Sequence, residues 1–180
     1  MYGLVSKAIQ DLVTRNYGEE RWKAIHRKAG IQNAEFIGMQ SYPDEETYAL
    51  VGAASEELGI PAPDLLKAFG DYWISYTAEE GYGEMMKAAG DNFADFLVNL
   101  DTLHARVGNL MPNLVPPSFS CEEVTERSMI LTYRSTRKGL LPMVMGLLSG
   151  LGRRFGVEPR ITVLSVDEKE DTEARFRLEW

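Results

Sequence analysis

The side chain best suited to hold a metal is His104, which falls in step with an apolar stripe along its predicted helix. Leu97, Leu100 and Val107 lie seven and four residues before it and three after it, so a helix places all of them on one face. One interpretation is a core histidine whose ring is satisfied by a main-chain carbonyl. The other is an axial iron ligand, because a neutral imidazole in an apolar pocket binds iron well.

A second candidate is the motif Tyr-x-Ser-x-Arg, formed by Tyr133, Ser135 and Arg137. In a predicted strand alternate residues point to one face, so these three side chains are expected to converge. A guanidinium flanked by two hydroxyls suits a carboxylate-bearing ligand, since arginine forms paired hydrogen bonds with a carboxylate. The alternative is a polar, solvent-facing side of a strand, which the alternation fits equally well.

The other histidine and the single cysteine are weaker candidates. His26 lies among three basic residues, and such a crowded cationic setting predicts a surface position. Cys121 is followed by two glutamates, whose charge raises a thiol pKa and so predicts an unreactive strand residue.

Composition excludes several classes of function. The 180 residues include 19 basic and 27 acidic side chains, a net charge of −8, which argues against a nucleic-acid or anionic-membrane surface. The sequence has no apolar run long enough for a transmembrane helix and no signal-peptide pattern at its start. A single cysteine cannot form an internal disulfide, and together these features predict a reducing, cytoplasmic setting.

Periodicity divides the chain into helices followed by a sheet. Residues 3–110 carry apolar side chains at helical spacing, and residues 93–110 are predicted to form one helix capped by Asp91. Gly70 lies inside an aromatic-rich helix, which predicts close packing or a bend there. A proline-rich segment, Met111–Ser118, ends the helical part, and we expect a subdomain boundary in or near it.

Beyond the proline-rich segment the period changes to two, which predicts a ββαββ arrangement over residues 119–180. One hairpin turns at Thr125–Arg127 and the other at the acidic turn Asp167–Thr172, with a helix over Leu140–Phe155 between them. The predicted fold class is therefore α+β, with a helical N-terminal part packed on a part that bears a four-stranded antiparallel sheet.

The two candidate sites together indicate a flat, apolar ligand edged with carboxylates. Protohaem (haem b) fits, with its iron on His104 and its propionates on Tyr133, Ser135 and Arg137. With no second credible histidine, the iron would be five-coordinate and open to a diatomic gas. Two alternatives stay open: a binding module for another apolar carboxylated molecule, such as a fatty acid, and an enzyme with His104 as general base, beside which no orienting carboxylate is evident.

At these residues the sequence resembles the H-NOX family, haem nitric oxide/oxygen-binding domains related to the sensor domain of soluble guanylate cyclase. The likeness covers essentially the whole chain and is greatest to stand-alone bacterial members from cyanobacteria. It rests on the opening Met1-Tyr-Gly-Leu-Val, the segment Leu103-His104-Ala-Arg, the pair Pro116-Pro117, the Tyr-x-Ser-x-Arg motif and Gly81-Tyr-Gly-Glu84.

The resemblance implies one haem domain over residues 1–180, with a helical N-terminal subdomain over about 1–64 and a haem-ligating subdomain over about 65–180. It implies that His104 is the proximal ligand, that Tyr133, Ser135 and Arg137 hold the propionates, and that Pro117 presses on the haem and distorts it. It also implies that four further residues line the haem pocket: Val5, Ile9, Trp73 and Met143.

The resemblance further implies a gas sensor rather than an enzyme. Oxygen-binding members carry a distal tyrosine where this chain has Pro142, which has no donor, so NO and CO are expected to bind while O₂ binds weakly or not at all. The indole N–H of Trp73 is the one donor expected nearby. The signal is expected to pass by release or shift of the His104 helix to a separate partner: a histidine kinase, a cyclic-diguanylate enzyme or a chemoreceptor.

Overall fold

A computed structural model of the chain describes residues 1–33, 35–167 and 172–180. These residues form two compact units, Met1–Phe69 and Gly70–Trp180. Residues 168–171, which belong to the predicted acidic turn, lie outside the described part of the chain. Within the described residues, no helix is both long and apolar enough to span a bilayer.

The first unit is helical. A glycine, Gly18, separates its first two helices at a φ of +86°, a backbone conformation that favours glycine. Tyr2 forms an isolated antiparallel bridge with Ser41 just before the third helix. Buried apolar side chains of these helices, including Ile9, Ile25 and Leu50, make its core. The helices are α1 (Gly3–Tyr17), α2 (Glu19–Lys28), α3 (Asp44–Leu58) and the start of α4 (Ala62–Thr77).

The second unit begins inside α4 and continues through short helices to the sheet. The helix predicted over residues 93–110 is divided at Asn99, whose side chain donates to the Ala89 carbonyl (3.0 Å) and whose backbone leaves helical geometry. The predicted cap, Asp91, is wrong by one residue, because Asn92 accepts a hydrogen bond from the Asp95 N–H (2.9 Å). The elements are a π-helical turn (Ala78–Tyr82), α5 (Gly83–Lys87), α6 (Phe93–Val98) and α7 (Leu100–Leu110).

Four strands and one helix complete the second unit, which confirms the predicted ββαββ order and the α+β class. The strands pair antiparallel in the order β1-β2-β4-β3. The subdomain boundary expected in or near the proline-rich segment is wrong, because this segment connects α7 to β1 inside the second unit. The elements are β1 (Ser118–Glu122), β2 (Ser128–Arg134), α8 (Leu141–Arg154), β3 (Arg160–Val166) and β4 (Glu173–Glu179).

One face of the sheet and the helices of the second unit share an apolar core. Alternate strand residues point into it because successive side chains of a strand face opposite ways. Its most buried members include Leu131, Phe176 and Leu178 from the strands and Leu148 from α8. This core fixes the helix that carries His104 and the strand that carries Tyr133 in one structural unit.

Two glycine contacts bring α4 and α8 close together. A Cβ on Gly70 would overlap the Met143 carbonyl oxygen, and a Cβ on Gly150 would lie 2.6 Å from the Asp71 carbonyl oxygen. The prediction of close packing at Gly70 is therefore confirmed. Because the crossing admits no side chain there, it also sets the position of Trp73 one turn further along α4.

Candidate functional site

His104 lies on α7 with its ring half-buried and its Nδ1 atom fully buried, and Nδ1 has no hydrogen-bond partner among the described residues. Burial lowers the pKa of the imidazole, while the nearby Asp101 carboxylate and the Pro117 carbonyl raise it to a lesser extent. The net direction is downward, which keeps the ring neutral. A neutral imidazole is the form that binds a metal.

Three aromatic rings run in series from this histidine into the sheet. The centroid of the His104 ring lies 5.9 Å from that of Phe119 on β1, and the Phe119 ring lies 5.5 Å from that of Tyr133 on β2. Phe119 and Tyr133 are paired residues of neighbouring antiparallel strands, so the sheet itself sets their spacing. The structure thus brings His104 and Tyr133, predicted from separate patterns, into one aromatic cluster.

The predicted placement of Arg137 on the same strand face as Tyr133 is wrong. Strand β2 ends at Arg134, and the Ser135 N–H still donates to the Thr172 carbonyl (2.8 Å). The Ser135 hydroxyl accepts a hydrogen bond from the Arg137 N–H (3.0 Å), which makes a tight turn. Serine commonly turns the chain in this way, because its hydroxyl replaces a ladder partner of the main chain. The strand alternation therefore does not extend to Arg137.

The turn nevertheless directs Arg137 to the proline-rich segment. Its Nη1 donates to the Val115 carbonyl (2.6 Å), two residues before Pro117. Pro117 is half-buried, and its carbonyl lies close enough to the His104 ring to raise the pKa of the imidazole. A guanidinium can bond several acceptors in one plane, so contact with Val115 is compatible with binding a carboxylate. Arg137 and His104 are thus linked through one short stretch of backbone.

Asp101 is a residue of this region that the sequence reasoning missed. Its Oδ1 accepts a hydrogen bond from the Phe119 N–H (2.7 Å), which joins α7 directly to β1. The available signal was an acidic residue three positions before His104, where a helix places it on nearly the same side. Asp101 therefore holds the His104 helix against the sheet.

Cys121 is half-buried on β1 beside the same carboxylate. Burial first, and the charge of Asp101 second, raise the pKa of its thiol to about 11. The predicted direction is thus right, although the cause differs: Glu122 and Glu123 instead form ion pairs with Arg175 and Arg177 (3.1 and 3.4 Å).

The predicted surface position of His26 is wrong. Its ring lies between those of Trp22 and Phe36, with centroid distances of 5.6 and 6.1 Å, and its Nε2 atom is buried without a hydrogen-bond partner among the described residues. The basic neighbours in sequence point elsewhere because helix residues one or two apart face different directions. His26 belongs to the first unit.

The residues predicted to line the distal pocket lie in three helices. Trp73, half-buried on α4, stacks on Tyr76 at 6.3 Å, and Met143 is half-buried in the first turn of α8 next to Pro142. Val5 and Ile9 belong to α1 of the first unit, half-buried and buried respectively. Their place in a haem pocket stays a prediction.

Among the described residues, no group of three His, Cys, Asp or Glu side chains is arranged to hold a metal ion. A metal at His104 would have to bring its other ligands with it, as the iron of haem does. The model of the family described as haem-NO-binding matches residues 2–163. The chain belongs to the H-NOX family. The family consists of haem-binding gas-sensor domains, which favours haem over the other carboxylated ligands left open by the sequence.

Similar proteins support this assignment. Soluble guanylate cyclase gcy-32 of Caenorhabditis elegans is 33% identical over 157 residues, which make up 86% of this chain and 23% of that protein. Soluble guanylate cyclase 89Db of Drosophila melanogaster is 24% identical over 155 residues, 86% of this chain and 23% of its own length. This chain therefore spans less than a quarter of these cyclases.

Solved H-NOX structures share the fold. An H-NOX protein from S. oneidensis in the Fe(II) state superposes with a TM-score of 0.90 at 21% identity, covering 99% of this chain and 95% of that one. The unliganded Fe(II) H-NOX protein from K. algicida gives a TM-score of 0.87 at 22% identity, covering 99% and 96%.

Proposed function

We propose that the chain is a haem b gas sensor whose iron is held by His104. The observation that carries this proposal is a neutral, half-buried imidazole at His104 that the proline-rich segment connects to the guanidinium of Arg137, in a chain of the haem-NO-binding family. Haem, when bound, would supply a ferrous iron that can bind diatomic gases. The chain's own part is to keep the imidazole neutral and to hold α7 in place through Asp101 and Phe119.

The propionates are proposed to be held by Tyr133, Ser135 and Arg137. Arg137 supplies a fixed positive charge at the end of β2, and the turn made by Ser135 orients it. Through Val115, Arg137 also positions the segment that ends in Pro117, the residue proposed to press on the haem. A carboxylate bound to Arg137 is therefore mechanically connected to the backbone beside His104.

The gas preference proposed is NO and CO over O₂. Bound O₂ carries partial negative charge and needs a hydrogen-bond donor, whereas Pro142 in the first turn of α8 has neither a side-chain donor nor an N–H. Met143 beside it is apolar. The donor to be tested is the indole N–H of Trp73, half-buried on α4. Val5 and Ile9 are proposed as apolar pocket residues.

The output proposed is a movement of α7 read by a separate protein. Asp101 couples α7 to β1, so a shift of the His104 helix is transmitted to the edge of the sheet. A histidine kinase is the proposed partner, with a cyclic-diguanylate enzyme or a chemoreceptor as the other partner classes. The net charge of −8 supports a protein partner rather than nucleic acid, and the single cysteine supports a cytoplasmic location.

The test is the visible absorption spectrum of the purified ferrous protein. We expect a Soret band that shifts on addition of NO and of CO and that forms no stable complex in air-saturated buffer. A colourless protein that haem cannot reconstitute would overturn the haem proposal. A stable O₂ complex would overturn the gas preference alone, and its loss in Trp73→Phe would then assign the donor to the indole.

A further inference from the structure

Strand β3 is one of the two outer strands of the sheet and is exposed along most of its length. Five of its seven residues are exposed, among them two large apolar ones, Val163 (41%) and Leu164 (45%). Beyond β3 no described strand pairs with it, so the main-chain groups along its outer side have no ladder partner in the described part of the chain. An exposed apolar edge of this kind is a template for pairing with another strand.

The opposite edge of the sheet, β1, is closed differently. There the Phe119 N–H is bonded to Asp101 of α7, so a helix side chain takes one of the main-chain donors of the strand. The edge at β3 has no such closure among the described contacts. Of the two edges, β3 is therefore the one that can accept a further strand.

A β-bulge in β3 determines which side chains face which way. The register with β4 runs from Val163 opposite Phe176 to Ser165 opposite Arg175, so Leu164 is the extra residue. Three residues of β3 consequently share the apolar face of the sheet, opposite Leu178, Phe176 and Ala174: Ile161, Val163 and Val166. The other face carries Arg160, Thr162 and Ser165.

With this bulge, the sequence from Arg160 to Asp167 is complementary to itself when run antiparallel. A twofold axis between Val163 and Leu164 sets Arg160 opposite Asp167 of a second copy and Thr162 opposite its Ser165, both pairs on the polar face. It sets Ile161 opposite Val166 on the apolar face, and Val163 opposite Leu164 at the centre. In a regular strand, odd- and even-numbered residues face opposite ways, and every pair in this register joins an odd-numbered residue to an even-numbered one. Without the bulge, the register would therefore set polar-face residues against apolar-face residues.

We infer that the outer edge of β3 is a homodimer interface, in which β3 pairs antiparallel with β3 of a second copy and joins two four-stranded sheets into one. The second copy is the occupant because the match is between the strand and itself: an ion pair at each end, a hydroxyl pair, and apolar pairs inside. A twofold interface of this kind uses the same patch on both chains. The inference does not depend on the haem proposal.

The experiment is a charge swap measured by sedimentation velocity on the purified full chain, at low salt and at concentrations up to about 1 mM. Wild type is expected to show a concentration-dependent monomer–dimer equilibrium. Arg160→Asp alone, or Asp167→Arg alone, sets like charges opposite each other at both ends, and each is expected to weaken the dimer about tenfold or more. The double variant R160D/D167R restores opposite charges and is expected to return the dissociation constant to within about threefold of wild type.

Arg154→Asp is the matched control, since it changes the net charge equally at an exposed position on α8, outside β3. It is expected to leave the dimer unchanged. A wild-type chain that stays monomeric throughout the concentration range would overturn the inference. So would a dimer that Arg160→Asp does not weaken, or one that the double variant fails to restore.

Discussion

The two histidines occupy surroundings that look alike at close range. His26 in the first unit lies between Trp22 and Phe36, and His104 in the second lies against Phe119. Each has one ring nitrogen that is buried and has no hydrogen-bond partner among the described residues. A buried, unpartnered imidazole nitrogen beside aromatic rings therefore does not by itself define a cofactor site.

The two histidines differ in the polar groups that lie near the imidazole ring. Around His104 the structure gathers a carboxylate on the same helix, the Pro117 carbonyl and, through Val115, the guanidinium of Arg137. The carboxylate accepts a hydrogen bond from the Phe119 N–H, and the guanidinium donates one to the Val115 carbonyl. The contacts of His26 are aromatic rings on its two sides. The comparison supports the proposal of His104 as the ligand-binding histidine, because the guanidinium of Arg137 near it can bind a carboxylate.

Replacing each histidine by glycine tests this comparison most directly, and His104→Gly should give the largest effect. Loss of the axial ligand is expected to reduce haem affinity by at least ~100-fold, whereas His26→Gly leaves haem content per folded protein unchanged. Haem content is measured as the ratio of Soret to protein absorbance after reconstitution. Free imidazole should restore haem binding to His104→Gly alone. Haem loss confined to His26→Gly would reverse the assignment.

The next effect in size is expected from Arg137→Ala. Removing a charge-assisted contact costs ~1.5–3 kcal/mol, which is a loss of about ten- to a hundredfold in haem affinity. Arg134→Ala is the matched control, because Arg134 is exposed and pairs with Glu173 on the sheet surface (2.8 Å). Haem transfer to an apo-globin acceptor measures both variants. Equal rates for Arg137→Ala and wild type would remove Arg137 from the site.

The sequence is sufficient to predict the fold class and to single out two residues of the proposed site, His104 and Tyr133. The change of period from 3.6 to 2 near residue 118 predicts the sheet correctly because apolar alternation is a local property of each strand. His104 can be singled out because it lies in step with the apolar stripe of its helix, and Tyr133 because it begins the Tyr-x-Ser-x-Arg motif on a predicted strand. Gly70 is informative because glycine weakens the interior of a helix, so its presence there indicates a close contact with a neighbouring element.

The misplaced residues depend on contacts that are distant in sequence or on competition between main-chain partners. Arg137 leaves the strand direction because its N–H bonds the Ser135 hydroxyl, and periodicity cannot show that choice. Asp101 meets Phe119 across 18 residues, so its role appears only once α7 and β1 are side by side. The surface position predicted for His26 rests on its charged neighbours in sequence, which do not share its side of the helix.

A smaller effect is expected from replacing Asp101, which joins the His104 helix to β1. Asp101→Ala leaves the Phe119 N–H without its acceptor and is expected to lower the free energy of unfolding by ~1–3 kcal/mol. Asp101→Asn keeps an acceptor oxygen and should lose less than half as much. Urea denaturation of the two variants gives the comparison. A loss as large for asparagine as for alanine would show that the charge, rather than the hydrogen bond to β1, holds α7 in place.

The smallest effect is expected from His26→Phe. The phenyl ring keeps the aromatic contacts with Trp22 and Phe36 and removes a buried nitrogen that has no partner among the described residues. Replacing an unsatisfied polar atom by an apolar one is near neutral or stabilising, so the free energy of unfolding should stay within ~1 kcal/mol of wild type or rise. Haem content should not change, whereas the same substitution at the second histidine, His104→Phe, should abolish it. A loss of more than ~2 kcal/mol in His26→Phe would mean that Nε2 is hydrogen-bonded in the folded protein, and the likeness between the two histidines would then disappear.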